Sequence, residues 1–330
     1  MEITKNQIDK LNLELTLQVA QDDYASIQKK KTSERRRTAD FKGFRKGMVP
    51  VSLIQKVFGE QILVESVNEV VSKALDEYIT TNGLHLLGEP LASEKQPEID
   101  WKTAGNFTFI FDAALTPEFS VAVEAADTVL KYQITVAAKD KEKMVENLKK
   151  YYADKKEEKP EEEIEKEVTG RMQNEYKQES EWRLSKDIRA FYVAKAGIEL
   201  PEAFLKRWLY AANGGKYSKE DIEKEFAGFA EDFKWQLVRG FLMKQYGFKV
   251  EEQDIREAAK AFVTYQYAMY GLPEIPGQLL DETVGNILND PKQIERLSEQ
   301  VEDRKVLDKI KETITLKDKK ISAEKFRELA

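Results

Sequence analysis

The sequence contains no cysteine and only one histidine, His85, among its 330 residues. The first absence excludes a disulfide framework and thiol chemistry, and the second leaves neither a His cluster for a metal nor a His-based catalytic dyad. No stretch approaches the roughly 18 apolar residues of a membrane span. Met1 to Asp9 lacks the basic-then-apolar pattern of a secretory signal, so a cytoplasmic chain with no membrane partner is the expectation. No glycine-rich run ends in Gly-Lys-Ser or Gly-Lys-Thr. Gly214-Gly215-Lys216 leads into Tyr217 and has no upstream glycine, which removes the phosphate-cradling loop of an ATPase. Adjacent carboxylates such as Glu251-Glu252 and Glu161-Glu162-Glu163 diverge around a helix and do not converge on a reacting atom. The expectation is a protein without catalytic residues, metal or other cofactor.

What is present is charge. Charged residues make up 34% of the chain and hydrophobic residues 41%, enough for ordinary cores with much solvated surface and room for two or more domains. The net charge of -7 conceals a local excess of the opposite sign. Lys29, Lys30, Lys31, Arg35, Arg36, Arg37, Lys42, Arg45 and Lys46 fall in a window opposed only by Glu34 and Asp40. Such a run is most often a solvated helix face. Beside a binding loop it also steers toward polyphosphate or acidic protein, with salt-sensitive affinity.

The loop is Gly43-Phe44-Arg45-Lys46-Gly47-Met48-Val49-Pro50. Its two glycines permit backbone angles that other residues avoid, and Pro50 fixes its own φ at the start of a helix over Val51 to Phe58. That predicts an outward Phe44 beside Arg45, an apolar anchor next to a planar cation. The plain alternative is a Phe44 folded into the core with its cations merely solvating a turn.

Hydrophobic periodicity organises the rest. Leu11 to Val19 alternates as a half-buried strand, and Asp22-Asp23 opens a helix that runs into the basic window. Gly59 is expected to separate the short helix after Pro50 from a longer amphipathic one, which stops at Asn82-Gly83. Phe107 to Leu115 forms a second strand and Leu130 to Val136 a connecting one. Ala153 to Pro160, including Glu157-Glu158-Lys159, reads as a connection between helices. Helices are then predicted over 161–196, 201–213, 218–246, 251–270, 276–289 and 291–313, with stops at Gly197, Gly214-Gly215, Gly247 and Gly271, then a short extended piece to Ile321 and a helical turn over Ser322 to Leu329. The fold class is α+β: helices on an antiparallel sheet in residues 1–115, a linker over 116–160, and a multi-helix domain over 161–330.

The helical half is rich in aromatics and methionine. Trp235, Phe241 and Met243 lie on one helix, and Phe262, Tyr265, Met269 and Tyr270 crowd another almost all round. Most such residues pack a core. A minority facing a groove would hold many unrelated apolar chains weakly, because Tyr carries a polar tip and Met is flexible and polarizable.

The run Gly43-Phe44-Arg45-Lys46-Gly47-x-x-Pro50 resembles the signature of trigger factor, the bacterial chaperone of the ribosomal exit tunnel, with Met48 at a variable position. The resemblance extends through the preceding strand and basic helix, Leu87-Gly88-Glu89-Pro90 and the helical half. It implies ribosome binding through Gly43, Phe44, Arg45, Lys46, Gly47 and Pro50, supported by Lys30, Lys31, Arg35, Arg36 and Arg37. It also implies a helical cradle with projecting arms for nascent and unfolded chains, a large-subunit partner contacted through protein and ribosomal RNA, and a homodimer off the ribosome. The family carries an isomerase domain of the FK506-binding type between these parts. Too few residues lie between Val136 and Glu162 to build it, so no prolyl isomerase activity is expected. A prolyl isomerase, a periplasmic-type holdase and a simple RNA-binding protein are the other classes this sequence leaves open.

Overall fold

The computed structural model describes residues 1–155, 159–270, 272 and 275–329. Glu157, Glu158 and the stop expected at Gly271 lie outside them. In chain order the elements are β1 (Glu2–Gln7), β2 (Asn12–Val19), α1 (Gln21–Thr38), α2 (Val51–Thr81), β3 (Leu91–Ala92), β4 (Phe107–Ala114), β5 (Thr128–Thr135) and α3 (Ala138–Asp154). There follow α4 (Glu161–Ala196), α5 (Glu202–Ala212), α6 (Lys219–Tyr246), α7 (Glu252–Met269), α8 (Gly277–Leu288), α9 (Pro291–Thr313), β6 (Thr315–Ser322) and α10 (Ala323–Arg327). The fold is α+β, as expected. By contact the chain forms two compact units, Met1–Glu118 with Glu199–Ala227, and Phe119–Ile198 with Gly228–Ala330.

In the first unit four antiparallel strands lie in the order β1-β2-β4-β3. Leu13, Leu15, Leu17 and Val19 alternate inward from β2, opposite Phe107, Phe109 and Ala113 of β4, and meet Leu63, Val67, Val70 and Val71 of α2. Each such burial contributes about 1.5–3 kcal/mol. That sum explains why α2 runs unbroken through Gly59, where two helices were expected. A helical glycine costs about 1 kcal/mol relative to alanine, and the flanking Ile54 and Ile62, both buried, outweigh it. Strand β1 has no apolar alternation to announce it. It forms because β2 offers a partner in register from Glu2↔Gln18 to Gln7↔Leu13, and because the Asp9 carboxylate accepts the Leu11 and Asn12 N–H groups at 2.8 Å in the turn between them.

Helix α5 belongs to this unit although it follows the helical run in sequence. Arg207 donates to Asp112 on β4 at 2.7 Å and to the Ala92 carbonyl at 3.0 Å. Trp208 lies so close to Gly88 that a Cβ there would meet its ring at 2.6 Å, so only glycine fits at the position, whose φ is 77°.

In the second unit β5 pairs in parallel with β6, from Thr128↔Thr315 to Thr135↔Ser322. Helices α3 and α4 pack through Val145, Ile164, Val168 and Met172. Burial pushes the Asp127 carboxyl up, but the Lys195 ammonium, the Glu124 amide and the Tyr192 hydroxyl together hold it below the usual carboxylate value. This ion pair, with Asp127 buried and the Lys195 side chain partly exposed, fixes the segment before β5 to α4. Helix α7 packs on α8 and α9 through Ala259, Val263, Val284 and Leu297.

Candidate functional site: a cationic docking tip and an uncharged helix face

Between α1 and α2 the chain makes a tip. Gly43 and Gly47 hold φ of 90° and 83°, angles that favour glycine. Beneath it a small core is filled by Ala39, Val49, Ile54 and Ile62, with Phe41 and Phe58 meeting edge to face at 6.1 Å. Phe41 and Val49 take the inward places that an alternative reading would have given to Phe44. Phe44 is 43% exposed, and Arg45 and Lys46 are exposed beside it. Pro50 immediately precedes the first residue of α2, and its carbonyl accepts the Leu53 and Ile54 N–H groups.

The basic window splits in two. Lys31 pairs with Glu69 at 2.9 Å, and Arg35 lies 3.7 Å from Glu65 with its guanidinium 4.9 Å from the Phe58 ring centroid. Arg36 donates from Nε to the Val49 carbonyl at 2.8 Å. These three tie α1 to α2 and the tip. The Lys31 hydrogen bond also lowers the Glu69 carboxyl below its ordinary value. Lys30 and Arg37 are exposed and, with Lys42, Arg45 and Lys46, form the outward cationic surface.

The seven apolar residues proposed from sequence for holding a client fare differently. Trp235 is only 6% exposed and donates from its indole to Asp303 at 2.6 Å, while Asp303 also binds Arg189. Met243 is buried and Phe241 is half-buried against Phe119 at 5.4 Å. Trp235 and Met243 therefore offer no free surface, because α6 spends that side on packing, and Phe241 offers little. Phe262, Tyr265, Met269 and Tyr270 are exposed, the last three at 61%, 71% and 85%. Helix α7 turns Ala259 and Val263 to its neighbours and Phe262, Tyr265 and Met269 to water. From Ala261 to Leu272 the sequence has no charged residue, a signal that aromatic counting missed. Among the described residues no cluster of His, Cys, Asp or Glu could hold a metal ion, and no helix is long and apolar enough to cross a membrane.

Fold and site together define an α+β protein that presents a cationic, aromatic tip on a small sheet domain and an apolar face on a helical unit. A model described as bacterial trigger factor protein matches residues 1–148, and one described as a probable trigger factor C-terminal domain matches residues 180–330. The chain belongs to the trigger factor family. The matched models are the N- and C-terminal domains of that family, with no isomerase domain among them. Trigger factor of Xylella fastidiosa (strain 9a5c) is 28% identical over 149 residues, 45% of this chain and 33% of that protein. Trigger factor of Francisella tularensis subsp. novicida (strain U112) is 25% identical over 153 residues, 46% of this chain and 34% of that protein. The chain spans about a third of the length of the curated relatives it matches. A solved structure, from work on promiscuous substrate recognition in folding and assembly activities of the trigger factor chaperone, superposes with a TM-score of 0.55 at 13% identity. That likeness covers 94% of this chain and 99% of the other, and it carries the fold.

Proposed function

We propose that this chain is an ATP-independent chaperone that docks at the exit tunnel of the large ribosomal subunit and shields nascent or unfolded polypeptides. The observation that carries the reading is the outward Phe44-Arg45-Lys46 on two glycine turns, with Lys30 and Arg37 extending the charge. An apolar anchor ringed by cations suits a ribosomal surface of protein and RNA. Docking raises the effective concentration of the apolar α7 face near an emerging chain, so weak contacts through Phe262, Tyr265, Met269 and Tyr270 suffice. Covering apolar segments slows aggregation, and easy release lets folding proceed without nucleotide. In this reading residues 1–115 bind the ribosome, 161–330 hold the client, the protein works in the cytoplasm, it dimerises when off the ribosome, and it does not isomerise prolyl bonds.

The test is co-sedimentation with vacant bacterial ribosomes for the parent chain and the triple variant Phe44→Ala, Arg45→Ala, Lys46→Ala, at two salt concentrations. Salt-sensitive binding that the variant loses is the expected result. Equal binding by both proteins, or none by either, would sink the docking reading and favour a free-standing holdase. Turnover of a prolyl peptide above the buffer rate would overturn the non-enzymatic part.

A further inference from the structure

Around the tip the sequence repeats itself: Lys42-Gly43-Phe44 is followed directly, after Arg45, by Lys46-Gly47-Met48. The backbone repeats with it. The Phe44 N–H donates to the Phe41 carbonyl at 3.0 Å, and the Met48 N–H donates to the Arg45 carbonyl at 2.9 Å. In each turn the glycine at the third position takes the positive φ that a type II turn requires. Phe44 and Met48 are therefore equivalent positions of two tandem turns. Met48 is 67% exposed, more than Phe44. Folding does not call for an apolar side chain here, since Met48 stands outside the core beneath the tip and Arg36 already anchors the next residue through the Val49 carbonyl.

We propose that Met48 is a second contact residue of the docking tip, entering an apolar socket on a protein component of the ribosome beside the one that receives Phe44. This inference rests on the docking reading above. A thioether chain is flexible and polarizable and fills an irregular apolar socket. RNA offers phosphates and base faces, which suit cations and aromatic rings better than an unbranched chain. Alternation of Lys42, Phe44, Arg45, Lys46 and Met48 divides the affinity into a part that salt screens and a part that it does not.

The experiment measures binding of the full chain to vacant bacterial ribosomes and to deproteinised ribosomal RNA across a salt series. The variants are Met48→Ala, Met48→Glu, Met48→Leu, Arg45→Ala and the triple loop variant. Met48→Ala should weaken ribosome binding about fivefold to tenfold, the scale of one partly buried apolar side chain, without changing the salt dependence. Met48→Glu should weaken it further, and Met48→Leu should stay within about twofold of the parent. Arg45→Ala should flatten the salt dependence. Thermal midpoints should match the parent in every Met48 variant, since the side chain is in water. RNA binding should be the same for Met48→Ala and the parent. Should Met48→Ala and Met48→Glu bind ribosomes as the parent does while the triple variant fails, the second contact is refuted and the docking reading stands. An altered salt dependence in Met48→Ala, or an equal loss on naked RNA, refutes the protein socket. Parent-like binding by the triple variant removes the docking reading and this inference with it.

Discussion

The Gly43–Pro50 tip and the outer face of α7 both hold apolar side chains in water, but the tip interleaves Phe44 and Met48 with Lys42, Arg45 and Lys46, whereas α7 offers no charge from Ala261 to its end at Met269. The supports differ as well. The tip is a loop whose shape comes from two glycine angles and one clamp, the Arg36 side chain on the Val49 carbonyl. Helix α7 is held in place by its opposite face, which packs on α8 and α9. A charged loop on a defined base suits one partner with a fixed surface, reached by electrostatic steering and sensitive to salt. An uncharged helix face suits many partners without a shared charge pattern.

Three outcomes would sharpen or break that contrast. The largest concerns the two faces of α7. Val263→Asp places an unpaired carboxylate in a site that is 1% exposed and should cost about 3 kcal/mol or more, seen as a lowered thermal midpoint of the second unit. Tyr265→Ser, two residues on and turned to the outer face, should leave the stability of that unit unchanged within about 0.5 kcal/mol. It should instead reduce suppression of client aggregation. If Tyr265→Ser destabilised as strongly, the outer face would be core and not a holding surface.

A smaller effect separates two neighbouring cations. Arg36→Ala removes the clamp and should cost about 1–2 kcal/mol in urea unfolding of the first unit. Ribosome affinity should fall with it as the tip loses its base. Arg37→Ala should leave stability within about 0.5 kcal/mol, as a surface change does, and act only through the salt-dependent part of binding. Equal stabilities for the two variants would mean that the tip does not need its anchor.

The smallest is a response to acid. Glu69 is held below its ordinary value of 4.5 chiefly by the Lys31 hydrogen bond. A carboxylate with a depressed folded pKa contributes stability that is present above its unfolded value and lost as pH falls through the folded one. Ribosome docking should therefore weaken slightly as pH drops below that ordinary value, because α1 loosens from α2, and Glu69→Gln should remove the dependence. From Ala261 to Met269 α7 carries no carboxylate, so the grip of that stretch on clients should not follow the same curve.

Much of the fold was legible because periodicity reports burial. The inward alternation of β2 and β4, the stop at Asn82-Gly83 and the starts after Pro160, Ser218 and Pro276 are local signals, and each element formed within a few residues of its expected bounds. Strand β1 was invisible, since Ile3 is the one apolar residue from Glu2 to Gln7 and the strand rests mainly on the backbone groups that β2 presents. The outward Phe44 was readable because the glycines dictate it. The inward Trp235 and Met243 were not, because a helix that is apolar on several sides gives no sign of which side its neighbours will cover.

By itself the sequence determined β2, β4 and most of the helices, the absence of thiol chemistry and of a His cluster, and the chemistry of the tip, all of which depend on residue type and local backbone freedom. Beyond β1 and the inward side of α6, tertiary structure decided three things. It carried α2 through Gly59, because packing on both sides exceeds the cost of one glycine. It grouped residues 199–227 with the N-terminal sheet, through Arg207 on Asp112 and Trp208 on Gly88. It also divided the basic window into cations that hold the tip in place and cations left exposed, a division set by which carboxylates and carbonyls α2 and the loop bring within reach.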